Sequence, residues 1–187
     1  VHAYIGVSPF IDPKRAEKIA FKFILNKIIK LKNKKAIKEL KSVREITPDS
    51  EKYLQKVQIL RKWLHKFGGS MLGEKNLSKL SRALARSKLY NIKDLLNYEK
   101  SNNFSISCLW KEMIKINFLI DAIEFKIPVY LVVGKYDYQT PSSIAKEYFK
   151  ILKAPKKKLF IFETSAHNPM YEEPQKFNEI MISLKKN

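Results

Sequence analysis

The sequence predicts an α/β fold that is rich in helix: part of a parallel sheet joined to a large all-helical segment. Two apolar runs, 129–133 and 159–162, lack the polar alternation of half-exposed strands, as is typical of strands covered on both faces. The amphipathic segment between them makes a β-α-β unit, whose strands are expected to be parallel. Upstream, residues 14–120 carry apolar side chains at helical spacing and are expected to be helical.

The amino-terminal elements follow from local signals. Residues 1–7 read as a short strand, and Asp12–Pro13 then supplies an N-cap and a first-turn proline. The helix that follows should present Ile19, Phe23 and Ile24 inward. Cys108 lies in the last predicted helix of the segment and is expected to be a small buried apolar residue. The further helices predicted before the sheet resumes are 36–43, 53–67, 76–88, 92–98 and 105–117, and Gly68–Gly69 ends the second of these.

Local signals also predict where the carboxyl-terminal helices begin and end. Thr140 is expected to cap a helix with Pro141 in its first turn, and Ala154–Pro155 ends that helix. The last helix is expected to begin at Glu173–Pro174. Its predicted buried stripe consists of Phe177, Ile180, Met181 and Leu184.

Each strand of the β-α-β unit is followed by a residue capable of acid–base chemistry. Asp137 comes just after the Gly134 that ends the first strand, and Ser165–Ala166 after the second strand lead to His167. Parallel strands bring these loops to one sheet edge, where open α/β sheets bind ligands. A carboxylate there could orient a histidine base. The same residues also fit a structural role, with Asp137 closing a turn and His167 bonding the backbone.

The residues around both positions resemble a known family. Segment 125–137 with Thr140–Pro141 after it, and Ser165-Ala166-His167 followed by Glu172-Glu173-Pro174 and Phe177, resemble the acid loop and histidine loop of the α/β-hydrolase superfamily, nearest the proline-iminopeptidase-like branch. The resemblance implies that Asp137 and His167 are two members of a Ser-Asp-His triad. It also implies that the helical segment is a lid over the active site.

The nucleophile of that family is not found in the sequence. It would lie in a G-x-S-x-G turn before the acid. In Gly69-Ser70-Met71-Leu72-Gly73 the serine directly follows the first glycine, and Gly6-Val7-Ser8-Pro9 lacks the second glycine. We therefore expect a lid and carboxyl-terminal part whose nucleophile-bearing part lies outside these residues, and no hydrolase turnover from this chain alone. The expected division is 1–13 strand and entry loop, 14–120 lid, and 121–187 hydrolase core.

Composition restricts the remaining possibilities. The net charge is +19, but the 37 basic residues are spread along the chain and are mostly lysine, which disfavours a dedicated nucleic-acid site. The single cysteine excludes a disulfide framework and favours a reducing, cytoplasmic compartment. No apolar run is long enough for a transmembrane helix. We expect no cofactor and no metal.

Partners follow from the incomplete sheet. A sheet without its central strands exposes an open edge, so we expect a homo-oligomer or association with the missing part. In a complete parent the substrate would be a small acyl compound. Three alternatives stay open: a non-catalytic binding or assembly module, a basic nucleic-acid-binding protein, and a peripheral protein on anionic membranes.

Overall fold

A computed structural model of the chain describes residues 2–41, 43, 53–73, 82 and 85–185. Its elements in chain order are β1 (Tyr4–Val7), α1 (Pro13–Leu31), α2 (Lys34–Lys41), α3 (Tyr53–Lys66), α4 (Ile92–Met113), α5 (Phe118–Asp121), β2 (Val129–Gly134), α6 (Ser142–Ile151), β3 (Lys157–Phe162), α7 (Pro169–Glu172) and α8 (Pro174–Lys185). The helix predicted at 76–88 lies largely outside the described residues.

The three described strands form one parallel sheet with β2 in the centre. Tyr4 of β1 pairs with Val129, and Val129 pairs with Lys157 of β3. All six residues of β2 are buried, as predicted from its unbroken apolar run. The helix-rich α/β class with parallel strands is therefore confirmed.

Three apolar clusters stabilise the described residues, and the two larger ones lie beside the sheet and within the helical segment. The first joins the sheet to α6 and the start of α1, and Val129, Leu131 and Val133 supply its β2 side. The second lies within the helical segment, where α1, α2 and α3 pack around Trp63, Leu60 and other buried side chains. The Phe23 ring of α1 stacks on Tyr138 with centroids 3.9 Å apart, so α1 reaches the loop that follows β2.

Local signals account for most helix boundaries. Asp12 accepts a hydrogen bond from the Arg15 backbone N–H and Pro13 begins α1, as predicted. The predicted separation of 92–98 from 105–117 is wrong, because α4 runs unbroken from Ile92 to Met113 behind a capping box of Asn91 and Asp94. Residues 99–104 include neither glycine nor proline, which are the residues that most disfavour a helix interior.

Two predictions of burial are also wrong. Cys108 is exposed, because α4 turns this side towards solvent while Trp110 and Ile114 pack inward. Phe177, Ile180, Met181 and Leu184 are half-buried rather than buried, although the Phe177 ring lies 6.4 Å from that of Phe162 at the end of β3. None of the helices that the structure describes has the length and apolar character needed to span a membrane.

Candidate active site

The candidate site lies at the carboxyl ends of β2 and β3. The chain turns after Gly134, and the Asp137 backbone N–H donates to the Gly134 carbonyl (3.2 Å). This turn places the Asp137 side chain in the interior, where none of it is exposed. His167 lies on the loop after β3, and its side chain keeps 22% of its surface exposed.

The two carboxylate oxygens of Asp137 have different partners. Oδ1 accepts hydrogen bonds from the backbone N–H groups of Gln139 (2.8 Å) and Thr140 (2.9 Å). Oδ2 lies 3.0 Å from His167 Nδ1 and 2.9 Å from Thr140 Oγ1. The loop thus fixes one oxygen and presents the other to the imidazole. The structure brings together the two residues that sequence reasoning had selected.

The imidazole is oriented by this contact. With a proton on Nδ1, the ring donates to Asp137 Oδ2, which leaves the Nε2 lone pair for another group. Nε2 makes no hydrogen bond to the residues that the structure describes. A histidine whose Nδ1 is held in this way, and whose side chain is still 22% exposed, can act as a general base.

Thr140 belongs to this site, and the prediction that it caps a helix is wrong. The helix starts at Ser142 with Pro141 at the N-cap position, and no side chain bonds its first turn. The Thr140 hydroxyl is buried beside Asp137 Oδ2, His167 Nδ1 (3.0 Å) and the Ser8 carbonyl (3.1 Å). Threonine before proline resembles a helix start in sequence, so this role carried no distinct sequence signal.

Gly134 allows the histidine loop to approach β2. A Cβ at this position would lie 1.8 Å from the Ala166 carbonyl oxygen and 2.6 Å from that of Ser165. Only a residue without a side chain fits there. The close approach lets the Tyr136 N–H donate to the Ser165 carbonyl (3.0 Å), which ties the acid loop to the histidine loop.

Two glutamates at the start of the last helical region hold the histidine loop. Glu172 accepts hydrogen bonds from the N–H groups of Ala166 (2.9 Å) and Asn168 (3.1 Å), on either side of His167. It also accepts one from Leu72 N–H (2.6 Å), which lies in the loop after α3. Sequence reasoning had noted this residue only as part of the resemblance, not as a positioning group.

Glu173 binds the same loop at residues that lie closer to the end of β3. Its carboxylate accepts from Ser165 Oγ (2.6 Å) and from the Thr164 N–H (3.1 Å). Partial burial raises the pKa of Glu173, but these hydrogen bonds and the nearby Lys176 outweigh burial and lower that pKa below its ordinary value. The carboxylate that anchors the loop is therefore ionised at neutral pH.

The loop after α3 contacts both sides of the site. The Gly69 carbonyl accepts from Tyr138 N–H (2.8 Å), beside Asp137. The Ser70 carbonyl accepts from His167 N–H (3.2 Å) and from Asn168 Nδ2 (3.2 Å). The helical segment is therefore bonded directly to the acid loop and to the histidine loop. These contacts are made by backbone carbonyl groups, so the residue types at these positions do not predict them.

The serines considered as nucleophiles have other partners. Ser8 follows β1 at a positive φ of 45°, and its buried hydroxyl donates to the His167 carbonyl (2.9 Å). The Ser70 hydroxyl lies 3.2 Å from Nδ1 of His65. Neither hydroxyl contacts the His167 ring. Among the described residues, no group of three or more histidines, cysteines or acids could hold a metal ion.

The chain is similar in sequence to a curated protein. No protein-family model matches the chain. The relative is the "Probable aminopeptidase YbaC" of Bacillus subtilis strain 168, which is 26% identical over 176 residues, covering 94% of this chain and 55% of that protein. The chain thus spans about half the length of the curated relative that it matches.

Similar solved structures include two α/β hydrolases and an esterase. They include an α/β fold family hydrolase from Bacillus anthracis strain Sterne, which has a TM-score of 0.40, 26% identity, and coverage of 79% of this chain and 48% of that one. The α/β hydrolase MGS-MChE2, from a metagenome of lagoon sediments at Mar Chica, Morocco, has a TM-score of 0.40, 20% identity, and coverage of 71% and 68%. An esterase from Exiguobacterium antarcticum has a TM-score of 0.36, 23% identity, and coverage of 41% and 28%.

Proposed function

We propose that Asp137 and His167 are the acid and base of a Ser-Asp-His triad in an α/β hydrolase that cleaves esters or amides. The observation that carries this proposal is the 3.0 Å contact between Asp137 Oδ2 and His167 Nδ1 at the carboxyl ends of two adjacent parallel strands. On this proposal, residues 14–120 are the lid and residues 121–187 the carboxyl-terminal part of the hydrolase core. We also propose the proline-iminopeptidase-like branch, on the resemblance of the acid loop and the histidine loop.

The geometry suits a different role for each of the three side chains of the site. His167 Nε2 would take the proton from a serine hydroxyl as that oxygen attacks the acyl carbon, and would return the proton to the leaving group. Asp137 would keep the ring in the Nδ1–H tautomer and stabilise the imidazolium formed during the attack. Thr140 would hold the carboxylate in place.

The serine is proposed to lie in polypeptide outside these 187 residues. The sequence contains no G-x-S-x-G turn, and the hydroxyls of Ser8 and Ser70 have other partners. An oxyanion hole would come from the same additional part. We therefore propose that the chain alone is inactive, and that activity requires the nucleophile-bearing part.

The free edge of β1 is the proposed attachment point for that part. Among the described strands, β1 pairs only with β2, and its Tyr4 and Ile5 are 40% and 39% exposed. An unpaired edge of this kind binds another strand. A homo-oligomer through the same edge is the alternative outcome. We also propose a cytoplasmic location, which is consistent with the single cysteine.

The relative's name makes aminopeptidase activity the first specific class to test. A peptide amino terminus needs a carboxylate near the active site. Helices α1, α2 and α3 contain two acids: Glu17 is buried and paired with Arg61 (2.5 Å), and Glu39 is paired with Lys62 (2.7 Å). We therefore propose that acyl esters or amides without a free amine are better substrates than amino-terminal peptide analogues.

A fluorophosphonate probe tests the proposal. The DNA upstream of Val1 is first read for an in-frame G-x-S-x-G, and the longer polypeptide is then expressed. We expect a labelled serine in that polypeptide, and loss of labelling in its His167→Ala and Asp137→Ala variants. Labelling that does not depend on His167 would refute the triad, and a labelled serine within residues 1–187 would refute the claim that the chain is inactive. A chain that sediments as a stable dilute monomer would count against the role of the β1 edge.

A further inference from the structure

The outer sides of α1 and α2 carry an unusual concentration of positive charge. Residues 14–41 contain ten lysines, one arginine and two glutamates, which is about half of the net charge of the whole chain. In α1 the buried residues include Ala16, Ala20, Ile24 and Ile28. In α2 they are Ala36 and Leu40. The lysines therefore occupy the sides of both helices that face away from α3.

The positions of the outward residues follow helical spacing. Lys18, Lys22, Leu25 and Ile29 recur every three or four residues on the side of α1 opposite the buried stripe, and all four are exposed. Lys34 and Lys38 form the corresponding pair on α2. We call this surface the basic face: Lys18, Lys22, Leu25, Ile29, Lys34 and Lys38.

No carboxylate of these two helices neutralises the basic face. Within α1 and α2, which the structure describes in full, the acids are Glu17 and Glu39. Glu17 is buried against Arg61 of α3, and Glu39 binds Lys62 and the Trp63 indole N–H (2.9 Å). Both acids point towards α3. Among the residues that the structure describes, no carboxylate forms an ion pair with Lys18, Lys22, Lys34 or Lys38, so their charge is available to an anionic partner.

Aliphatic side chains lie among these lysines. Leu25 is 38% exposed and Ile29 is 64% exposed, and Leu31 and Ile37 beside the turn between the helices are exposed as well. Single exposed aliphatic residues are common on protein surfaces. Here Leu25 and Ile29 lie among lysines on one helix side, so one surface offers both positive charge and apolar area. Clusters of lysines on a helix bind anionic lipid headgroups, and neighbouring aliphatic side chains can then enter the acyl boundary.

The alternative polyanion, a nucleic acid, fits this surface less well. Arginine makes the two-pronged contacts to phosphate, and the one arginine of the segment, Arg15, is held by Glu147 (3.0 and 2.7 Å). Base stacking requires exposed aromatic rings, whereas Phe23 is stacked on Tyr138. A nucleic acid would also leave Leu25 and Ile29 in water.

We propose that the basic face binds the surface of anionic membranes, with α1 lying along the headgroups. This interaction goes beyond the proposed function and does not require the triad. Each lysine near a charged leaflet adds to the attraction, and the attraction is screened by salt. Burial of Leu25 and Ile29 in the membrane adds an apolar contribution to binding, which does not depend on charge.

Vesicle co-sedimentation of the full chain tests this proposal. We expect binding to vesicles of phosphatidylcholine with phosphatidylglycerol, and little binding to phosphatidylcholine alone. Raising the salt from about 0.1 M to about 1 M shortens the Debye length from about 10 Å to about 3 Å and should release most of the chain. Equal binding to both kinds of vesicle would overturn the proposal.

Matched variants separate this surface from overall charge. The quadruple change Lys18, Lys22, Lys34 and Lys38→Gln should weaken binding by about tenfold or more. The control removes the same charge from Lys146, Lys150, Lys153 and Lys156, which are all exposed elsewhere, and should bind nearly as the parent does. If both variants lose affinity equally, the attraction is general and the basic face is not the site.

A third variant tests the choice of a membrane over a nucleic acid. Leu25→Gln with Ile29→Gln keeps every charge, and both positions are exposed, so circular dichroism should show an intact fold. We expect weaker vesicle binding than for the parent. Unchanged vesicle binding by this variant, or tighter binding of the parent to duplex DNA than to anionic vesicles at equal phosphate, would contradict the proposal.

Discussion

Asp137 gives its two carboxylate oxygens different partners: Oδ1 binds the backbone of its own loop, and Oδ2 lies 3.0 Å from Nδ1 of His167. The first set of bonds fixes the carboxylate, and the second uses it to orient a ring on a different loop. A side chain needed only to close a turn would not require this second contact. The relationship supports the proposal of a base and its orienting acid.

Asp137→Asn should change the tautomer of His167. An amide keeps the shape of the carboxylate, but its NH₂ group can donate to Nδ1, which favours the proton on Nε2. Nitrogen chemical shifts of the imidazole at neutral pH would show this as a fall in the Nδ1–H population. In a complete enzyme the same change should lower kcat by about 10³- to 10⁴-fold. Asp94→Asn, far from the site on α4, should leave the ring unchanged, and a parent that is already in the Nε2–H form would contradict the assignment.

Thr140→Val should loosen the site without altering its volume. The change removes a hydroxyl whose single proton can be donated to Asp137 Oδ2 or to the Ser8 carbonyl, so one of these buried acceptors loses its donor. The free energy of unfolding should fall by about 1–2 kcal/mol in urea titration. Thr140→Ser restores the hydroxyl and should recover most of this loss. Equal losses in both variants would point to packing of the methyl group instead.

Gly134→Ala should displace the histidine loop. The new Cβ would overlap the Ala166 carbonyl oxygen, which is backbone and cannot rotate away. We expect a loss of about 3 kcal/mol in unfolding free energy, together with altered His167 chemical shifts. Gly6→Ala in β1 is the control. Its Cβ would meet flexible side chains of Tyr4 and Leu131 at 3.1 and 3.2 Å, so about 1 kcal/mol is expected. A fully stable Gly134→Ala chain with unchanged His167 signals would show that the close approach is unnecessary.

The sequence predicted the part of the molecule that depends on regular patterns. The burial of β2 followed from its unbroken apolar run, and the start of α1 from Asp12–Pro13. The neighbourhood of Asp137 and His167 followed from parallel strands, whose carboxyl ends share an edge. These features follow from patterns in the sequence, and tertiary contacts did not override those patterns.

The remaining parts depended on contacts that no local pattern encodes. Thr140 was interpreted as a cap because its neighbour is proline, although its hydroxyl is used by Asp137 and Ser8. The Ser70 carbonyl that binds the histidine loop is backbone, so any residue could supply it. The exposure of Cys108 depends on how α4 is rotated against its neighbours. Each of these requires knowledge of which elements pack together.

Glu172→Ala should release the loop that carries His167. Three backbone N–H groups, those of Leu72, Ala166 and Asn168, would lose their acceptor. We expect a loss of about 2–3 kcal/mol in unfolding free energy and faster hydrogen exchange at these three amides. Glu172→Gln retains one acceptor and should show an intermediate effect. Glu163→Gln, which affects only an exposed pair with Lys135, should leave all three amides protected. Unchanged exchange in the alanine variant would exclude this anchoring role.

The buried pair of Glu17 and Arg61 should respond to pH and to paired substitution. Burial raises the pKa of Glu17 above its ordinary value, although Arg61 opposes the shift. Between that value and the raised one, the folded chain holds more protons than the unfolded chain. The free energy of unfolding should therefore fall as pH rises through this window, and Glu17→Gln should abolish the slope.

The same pair allows a double-mutant test. Arg61→Met leaves the Glu17 carboxylate buried without its cation and should cost about 3 kcal/mol at neutral pH. Adding Glu17→Leu should return the chain close to its original stability, because an apolar pair then replaces the ion pair. Urea titration of the four chains measures the coupling. Additive losses would show that the two side chains do not act as a pair.

The pairing of β1 with β2 has a consequence for how the chain acquires its structure. Tyr4 bonds in register with Val129, which follows it by 125 positions. During synthesis the first strand therefore leaves the ribosome long before its neighbour exists, and the intervening helices form in its absence. Closing so long a loop makes assembly of the sheet a late and slow step. Until that step, the emerging strand is open to capture by chaperones or by other nascent chains.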